Sequence, residues 1–130
     1  MARILVIDDD ESVRTIVRLL LSRYGHTVIE ACDGQEGLEL FPDTAADLVI
    51  TDMMMPRKCG HEVIRALREK QPPVQIIAIS GGGRPGEKHP LDTARLLGAV
   101  RVLAKPFTRE MLLATINEVL PDRTAVAVAG

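Results

Sequence analysis

Apolar positions along the chain fall into two alternating kinds of pattern. Ile4-Leu5-Val6-Ile7, Leu48-Val49-Ile50 and Ile76-Ile77-Ala78-Ile79 are uninterrupted runs of three or four residues. Runs so short and continuous predict strands covered on both faces, as in a parallel sheet with helices above and below. Thr27-Val28-Ile29 is brief and flanked by polar residues, which predicts an edge strand. Val100-Arg101-Val102-Leu103-Ala104 alternates in its first half and predicts the opposite edge. Between these runs the period changes. Val13, Ile16, Val17 and Leu20 stand at i, i+3, i+4 and i+7, a stripe that predicts an amphipathic helix over 11–24, ended by Gly25. Residues 34–41 predict a short helix stopped by Pro42. Residues 60–71 predict another, with Val63, Ile64 and Leu67 on one face and Pro72-Pro73 as its end. A fourth helix falls at 90–98. A fifth runs from Thr108, a suitable N-cap, through Leu112, Ile116, Val119 and Leu120 to Pro121.

Strands and helices in strict alternation, joined by short links, predict an α/β fold: a doubly wound five-stranded parallel sheet with helices on both faces. Residues 1–121 are expected to form one domain. Residues 122–130 read as a short flexible C-terminal tail, with no output domain in the chain. The segment 81–90 carries three consecutive glycines and two prolines and reads as a loop.

The composition narrows the range of functions. The 130 residues are 46% hydrophobic and 26% charged, enough for a core. Sixteen Lys and Arg against eighteen Asp and Glu leave a net charge of −2, which makes no electrostatic case for nucleic acid or anionic lipid. Three aromatics (Tyr24, Phe41 and Phe107) are too few for a base-stacking platform. No apolar run approaches the roughly 20 residues of a membrane span. Cys32 and Cys59 lack metal-ligand spacing, so inert reduced thiols and a cytoplasmic location are expected.

Chemistry in an open parallel sheet gathers beyond the carboxyl ends of its strands. Asp8-Asp9-Asp10 follows the first run, Thr51-Asp52 the third, Ser80 the fourth and Lys105-Pro106 the fifth; the second contributes nothing obvious. Two carboxylates about 4 Å apart repel by ~4 kcal/mol at an effective dielectric near 20, so Asp8, Asp9 and Asp52 together call for a cation. Mg²⁺ suits such a site, being hard and oxygen-seeking. Lys105 adds a mobile point charge and Ser80 a hydroxyl donor. A carboxylate nucleophile with Mg²⁺, an ammonium and a hydroxyl is what phosphoryl transfer to aspartate requires.

Ile4-Leu5-Val6-Ile7-Asp8-Asp9, Asp52-Met53-Met54-Met55-Pro56, Gly60, Ile79-Ser80-Gly81 and Lys105-Pro106-Phe107 resemble the receiver domain of bacterial response regulators, the CheY-like superfamily. The resemblance covers residues 2 to about 121. It implies a flavodoxin-like strand order 2-1-3-4-5 and a stand-alone signalling switch. Asp52 would be the phosphoacceptor. Asp9 and Asp52 would ligate Mg²⁺ with the Met54 backbone carbonyl, and Asp8 through a water. Ser80 and Lys105 would meet the phosphoryl group, with a cis peptide between Lys105 and Pro106. The implied donor is a histidine kinase or histidine phosphotransfer protein. The output would be a protein contact through the fourth helix, fifth strand and fifth helix, from a monomer or a phosphorylation-dependent dimer. Such a chain is not an enzyme beyond chemistry on its own Asp52. Two departures from the family pattern stand out: Val102 replaces the frequent Tyr or Phe three residues before the lysine, and the loop after Ser80 is long and glycine-rich.

Plainer readings apply elsewhere. Asp10 is left to helix capping. Met53-Met54-Met55 reads as packing, and His26, His61 and His89 as solvated surface. Two other functions fit parts of the sequence. Asp8-x-Asp10-x-Ser12 fits the opening of haloacid-dehalogenase-type phosphatases, with Asp8 as nucleophile, although no acidic pair follows Lys105 and Asp52 would have no role. A receiver-like module that binds without being phosphorylated is the third.

Overall fold

Five parallel strands form a single sheet: β1 (Arg3–Ile7), β2 (Thr27–Ala31), β3 (Leu48–Asp52), β4 (Gln75–Ser80) and β5 (Arg101–Ala104). Their spatial order is β2-β1-β3-β4-β5, the doubly wound arrangement expected, with the two predicted edges in place. The computed structural model describes residues 2–53, 60–69, 74–80 and 98–120. Four helices lie within them: α1 (Glu11–Arg23), α2 (Gly34–Thr44), α3 (Gly60–Arg68) and α4 (Arg109–Val119), the last being the fifth of the predicted set. Residues 90–97 of the predicted fourth helix, the glycine-rich loop and the C-terminal tail lie outside the described residues, as do Met54, Met55, Cys59 and His89.

Strand alternation divides the core into two layers. On one face Leu5, Ile7, Val49, Ile76 and Ala78 pack with Val63, Ile64 and Leu67 of α3. On the other, Ile4, Val6, Leu48, Ile50, Ile77 and Ile79 pack with Val17, Leu20 and Leu21 of α1 and with Leu112 and Ile116 of α4. Burying such aliphatic side chains contributes roughly 1.5–3 kcal/mol each. That is why the central strands confine their polar residues to their ends, Arg3 and Gln75 at the start of β1 and β4, and Thr51, Asp52 and Ser80 at the ends of β3 and β4. Val102, half-buried on β5, packs with the α3-side layer.

The helix ends follow local chemistry. Asp10 caps α1, its side chain accepting from the Ser12 and Val13 N–H groups. Gly25, at φ 86°, turns the chain out of that helix as predicted. Thr108 caps α4 by accepting from the Met111 N–H at 3.1 Å. At α2 the expectation is corrected, because the helix passes through Pro42 and ends at Thr44. Proline removes one donor and crowds the preceding turn. The turn is closed instead by side chains: the Thr44 hydroxyl donates to the Phe41 carbonyl at 2.8 Å, and Arg3 Nε donates to the Thr44 carbonyl at 2.5 Å. Phe41 also packs against the core, so burial holds a turn that propensity alone would end.

His26 is also corrected. It is buried at 5% exposure, with Nδ1 accepting the Ala2 N–H at 3.1 Å. His61 is half-buried on α3. Burial pushes the His26 pKa below its ordinary value. The unfolded chain therefore binds the proton more readily, and stability is lost as pH falls below about 6.5 toward the depressed folded value. Urea midpoints should accordingly drop on acidification through that window. His26→Asn, which keeps an acceptor at the δ position but does not titrate, should flatten that part of the profile.

Candidate functional site

The register of the sheet brings the polar strand ends together. Ile7 is level with Thr51, Asp52 with Ile79, and Ser80 with Ala104. The residues just beyond the ends of β1 and β5 therefore flank Asp52. Backbone bonds continue the alignment past the strands: the Asp8 N–H donates to the Ala31 carbonyl at 3.2 Å, and the Lys105 N–H to the Ser80 carbonyl at 2.7 Å. The Met53 N–H likewise donates to the Ile79 carbonyl at 2.9 Å. The Lys105–Pro106 peptide is cis, as the resemblance implied. Behind Asp52 the first residue of α3 sits against the chain. A Cβ on Gly60 would lie 2.6 Å from the Asp52 carbonyl oxygen and from the Met53 Cα. Only glycine fits that approach, because a backbone neighbour cannot swing aside.

Three carboxylates meet at this edge. One oxygen from each of Asp8, Asp9 and Asp52 lies within 4.8 Å of the others. Asp8 and Asp52 are buried, while Asp9 is exposed. Lys105 Nζ donates to Asp8 Oδ2 and to Asp52 Oδ2, both at 3.1 Å. Its side chain is 25% exposed, so the ammonium closes the cluster from the solvent side. Ser80 is buried at the end of β4. Met54 lies outside the described residues.

Charge follows from this geometry. Burial raises the Asp8 pKa and the Asp52 charge adds to the effect, against the lowering influence of the Asp10 N–H and of Lys105. For Lys105 burial acts to lower the pKa, but the bonds and charges of Asp8 and Asp52 outweigh it, and the net shift is upward. One ammonium, bonded to Asp8 and Asp52, against the three carboxylates of the cluster leaves an excess of two negative charges. A cluster of hard oxygen donors with that excess fits a divalent cation that keeps part of its water shell.

Neighbouring residues take other duties. Asp10 Oδ1 accepts the Ser12 N–H at 2.9 Å, so the second aspartate of the Asp8-x-Asp10-x-Ser12 pattern serves as the helix cap. At the end of β2, Asp33 Oδ1 accepts the Glu36 N–H at 2.8 Å and Glu36 Oε1 accepts the Cys32 N–H at 2.7 Å. This is a variant of the capping box, with Glu36 reaching past the Asp33 cap to the residue before it, and its D-x-x-E signature stands in the sequence. The Cys32 thiol pKa is pushed up by desolvation and by the Glu36 and Asp33 charges, away from thiolate reactivity. Arg14 and Glu30 border the site and carry no sequence signal. Arg14 Nη1 donates to the Asp8 carbonyl at 2.7 Å and its Nε faces Glu30 Oε1 at 3.3 Å. The second strand thus contributes to this edge through Glu30, contrary to expectation.

A five-stranded sheet with this order, carrying an acidic cluster bridged by a lysine at its carboxyl edge, defines a doubly wound α/β domain with a candidate cation site. The family model for the response regulator receiver domain matches residues 4–117, and the chain belongs to that family, the receiver domains of two-component systems. It is 40% identical over 129 residues to Response regulator MprA of Mycolicibacterium vanbaalenii, a match covering 98% of this chain and 54% of the relative. It is 37% identical over 118 residues to the probable transcriptional regulator ycf27 of Guillardia theta, covering 91% and 45%. Among solved structures, the chemotaxis protein CheY4 of Vibrio cholerae superposes with a TM-score of 0.83 at 32% identity, covering 92% of this chain and 99% of that one. The chain spans about half the length of the curated relatives it matches. No helix among the described residues is long and apolar enough to cross a membrane.

Proposed function

We propose that the chain accepts a phosphoryl group on Asp52 from a phosphohistidine of a cytoplasmic kinase or phosphotransfer protein, in a Mg²⁺-dependent reaction, and passes the signal on by protein contact. The reading rests above all on Lys105 Nζ, which bridges Asp8 and Asp52 at 3.1 Å to each. One charge is thereby placed where it can hold two carboxylates before transfer and a phosphoryl oxygen after it. Mg²⁺, when bound, neutralises phosphoryl oxygens and aligns the group for in-line attack.

The chain's own residues supply the rest. Asp9 and Asp52 would hold the metal, joined, as the family resemblance implies, by the Met54 carbonyl, and Asp8 would act through a water. A carboxylate oxygen of Asp52 attacks phosphorus, forming an acyl phosphate, while the phosphorus–nitrogen bond breaks and its electron pair leaves with the donor imidazole. Lys105 shifts from its two carboxylates to a phosphoryl oxygen, and the Ser80 hydroxyl donates to another. The new group carries a charge of about −1.5 to −2. Its added charge-assisted contacts bias the surface around the 90–98 segment, β5 and α4. A shift from 1:99 to 99:1 needs about 5.5 kcal/mol of differential interaction, within reach of three such contacts at roughly 1.5–3 kcal/mol each. With Val102 on β5, the shift runs through backbone and helix positions and not through an aromatic rotamer. The chain turns over no external substrate beyond its own phosphorylation and dephosphorylation.

Incubation with a small-molecule phosphodonor, with and without Mg²⁺, followed by intact-mass measurement, tests the proposal. One added phosphoryl group that requires Mg²⁺ is the expected result. No addition, or addition indifferent to Mg²⁺, would overturn it.

A further inference from the structure

The turn carrying Asp8, Asp9 and Asp10 is fastened from outside the acidic cluster. Arg14, one turn into α1, keeps only 15% of its side chain exposed, and its Nη1 grips the Asp8 carbonyl at 2.7 Å. That carbonyl lies past the paired part of the sheet, since the β1 pairings end at Ile7. The guanidinium is pinned in turn. Its Nε faces Glu30 Oε1 at 3.3 Å, while Arg18 Nε holds the other Glu30 oxygen at 2.9 Å. A second bond acts one residue further along, where Asp8 Oδ1 accepts the Asp10 N–H at 2.9 Å. The peptides on both sides of Asp9 are therefore held, and they set the direction in which its exposed side chain leaves the backbone.

Resting on the metal reading proposed above, we infer that Arg14, anchored by Glu30, is a positioning residue that fixes the Asp8–Asp9 peptide so that the Asp9 carboxylate stands ready beside those of Asp8 and Asp52. It acts through backbone geometry and touches neither metal nor phosphoryl group. Charge alone would do the opposite. A guanidinium near a cation site repels the cation, so removing it would tighten binding if electrostatics were its only role. A positioning role has the reverse sign, because loss of a partner that orients a metal ligand typically weakens affinity roughly 10- to 100-fold.

The experiment is Mg²⁺ titration of the intact chain by calorimetry, with backbone amide NMR shifts of Asp9 and Asp10 as a second readout, for wild type, Arg14→Met and Arg14→Lys. Arg14→Met should bind Mg²⁺ at least tenfold more weakly and shift both amides before metal is added. Arg14→Lys keeps the charge but not the fork that spans carbonyl and carboxylate; it should also bind more weakly, and it decides the question if Arg14→Met does not fold. Tighter binding by Arg14→Met, or wild-type affinity in Arg14→Lys, would overturn the inference. Wild-type protein that takes up no Mg²⁺ would overturn the metal reading itself and this inference with it.

Discussion

Asp52→Asn is expected to take up no phosphoryl group under conditions that fully modify the wild type. The substitution is nearly isosteric. Its amide oxygen can still accept from Lys105, which now sits 3.1 Å from Asp52 Oδ2, so the fold around it has little reason to change. Two things are lost. A neutral amide is a poor nucleophile toward phosphorus, and the cluster loses one of its two excess negative charges along with one of the two Asp52 oxygens. Mg²⁺ affinity should fall by about tenfold or more on that account. Stability without metal should move the other way. Carboxylates within 4.8 Å repel by roughly 3–4 kcal/mol at an effective dielectric near 20, before screening and the Lys105 bridge offset most of it. Relief of about 1 kcal/mol is the expected remainder, read as a higher urea midpoint with an unchanged slope. Persistence of a phosphoryl adduct in Asp52→Asn would assign the chemistry to another residue, with Asp8 the first to examine.

Lys105→Met is expected to separate stability from metal affinity. Methionine fills the volume of the lysine stem but leaves Asp8 and Asp52 facing each other without the ammonium. Removing one partner of a buried pair typically costs 3–5 kcal/mol, and an exposed pair under 1. With Lys105 about a quarter exposed, a loss of about 1–3 kcal/mol in metal-free buffer is the expected result. The same change removes a cation from the rim of the site, so Mg²⁺ should bind on the order of tenfold more tightly and recover more stability than it adds to the wild type. Phosphoryl uptake should slow by about 10- to 100-fold, the equivalent of a charge-assisted hydrogen bond of roughly 1.5–3 kcal/mol. Denaturant curves with and without Mg²⁺, together with mass-resolved time courses, measure all three. Mg²⁺ binding no tighter than in wild type would contradict the view of Lys105 as the cation's electrostatic competitor.

The architecture was legible because its determinants are local or strictly periodic. Ile4–Ile7 and Ile76–Ile79 are apolar at every position, a pattern tolerated only where both faces of a strand are covered. Asp10, Gly25 and Thr108 mark helix ends through bonds to residues two to four places away in the chain. The acidic cluster could be foreseen for a related reason: once the order of strands is set, whatever follows each strand must arrive at the same edge. The readings that failed concern positions where distant contacts outweigh local preference. Pro42 reads as a stop, yet Arg3 and the core hold the turn around it. His26 reads as surface, yet its ring is buried and accepts the Ala2 N–H.

Sequence alone was thus sufficient for the doubly wound sheet, its edges, most helix ends and the acids and lysine that meet there, since each depends on period or on strand order. Only the tertiary structure decided that Lys105 bridges Asp8 and Asp52 equally, that Asp9 alone of the three acids faces solvent, and that Arg14 on α1, paired with Glu30 on the edge strand, holds the Asp8 carbonyl. Those outcomes depend on side-chain reach between residues up to 97 positions apart. No local pattern encodes such a distance; packing of the helices onto the sheet does.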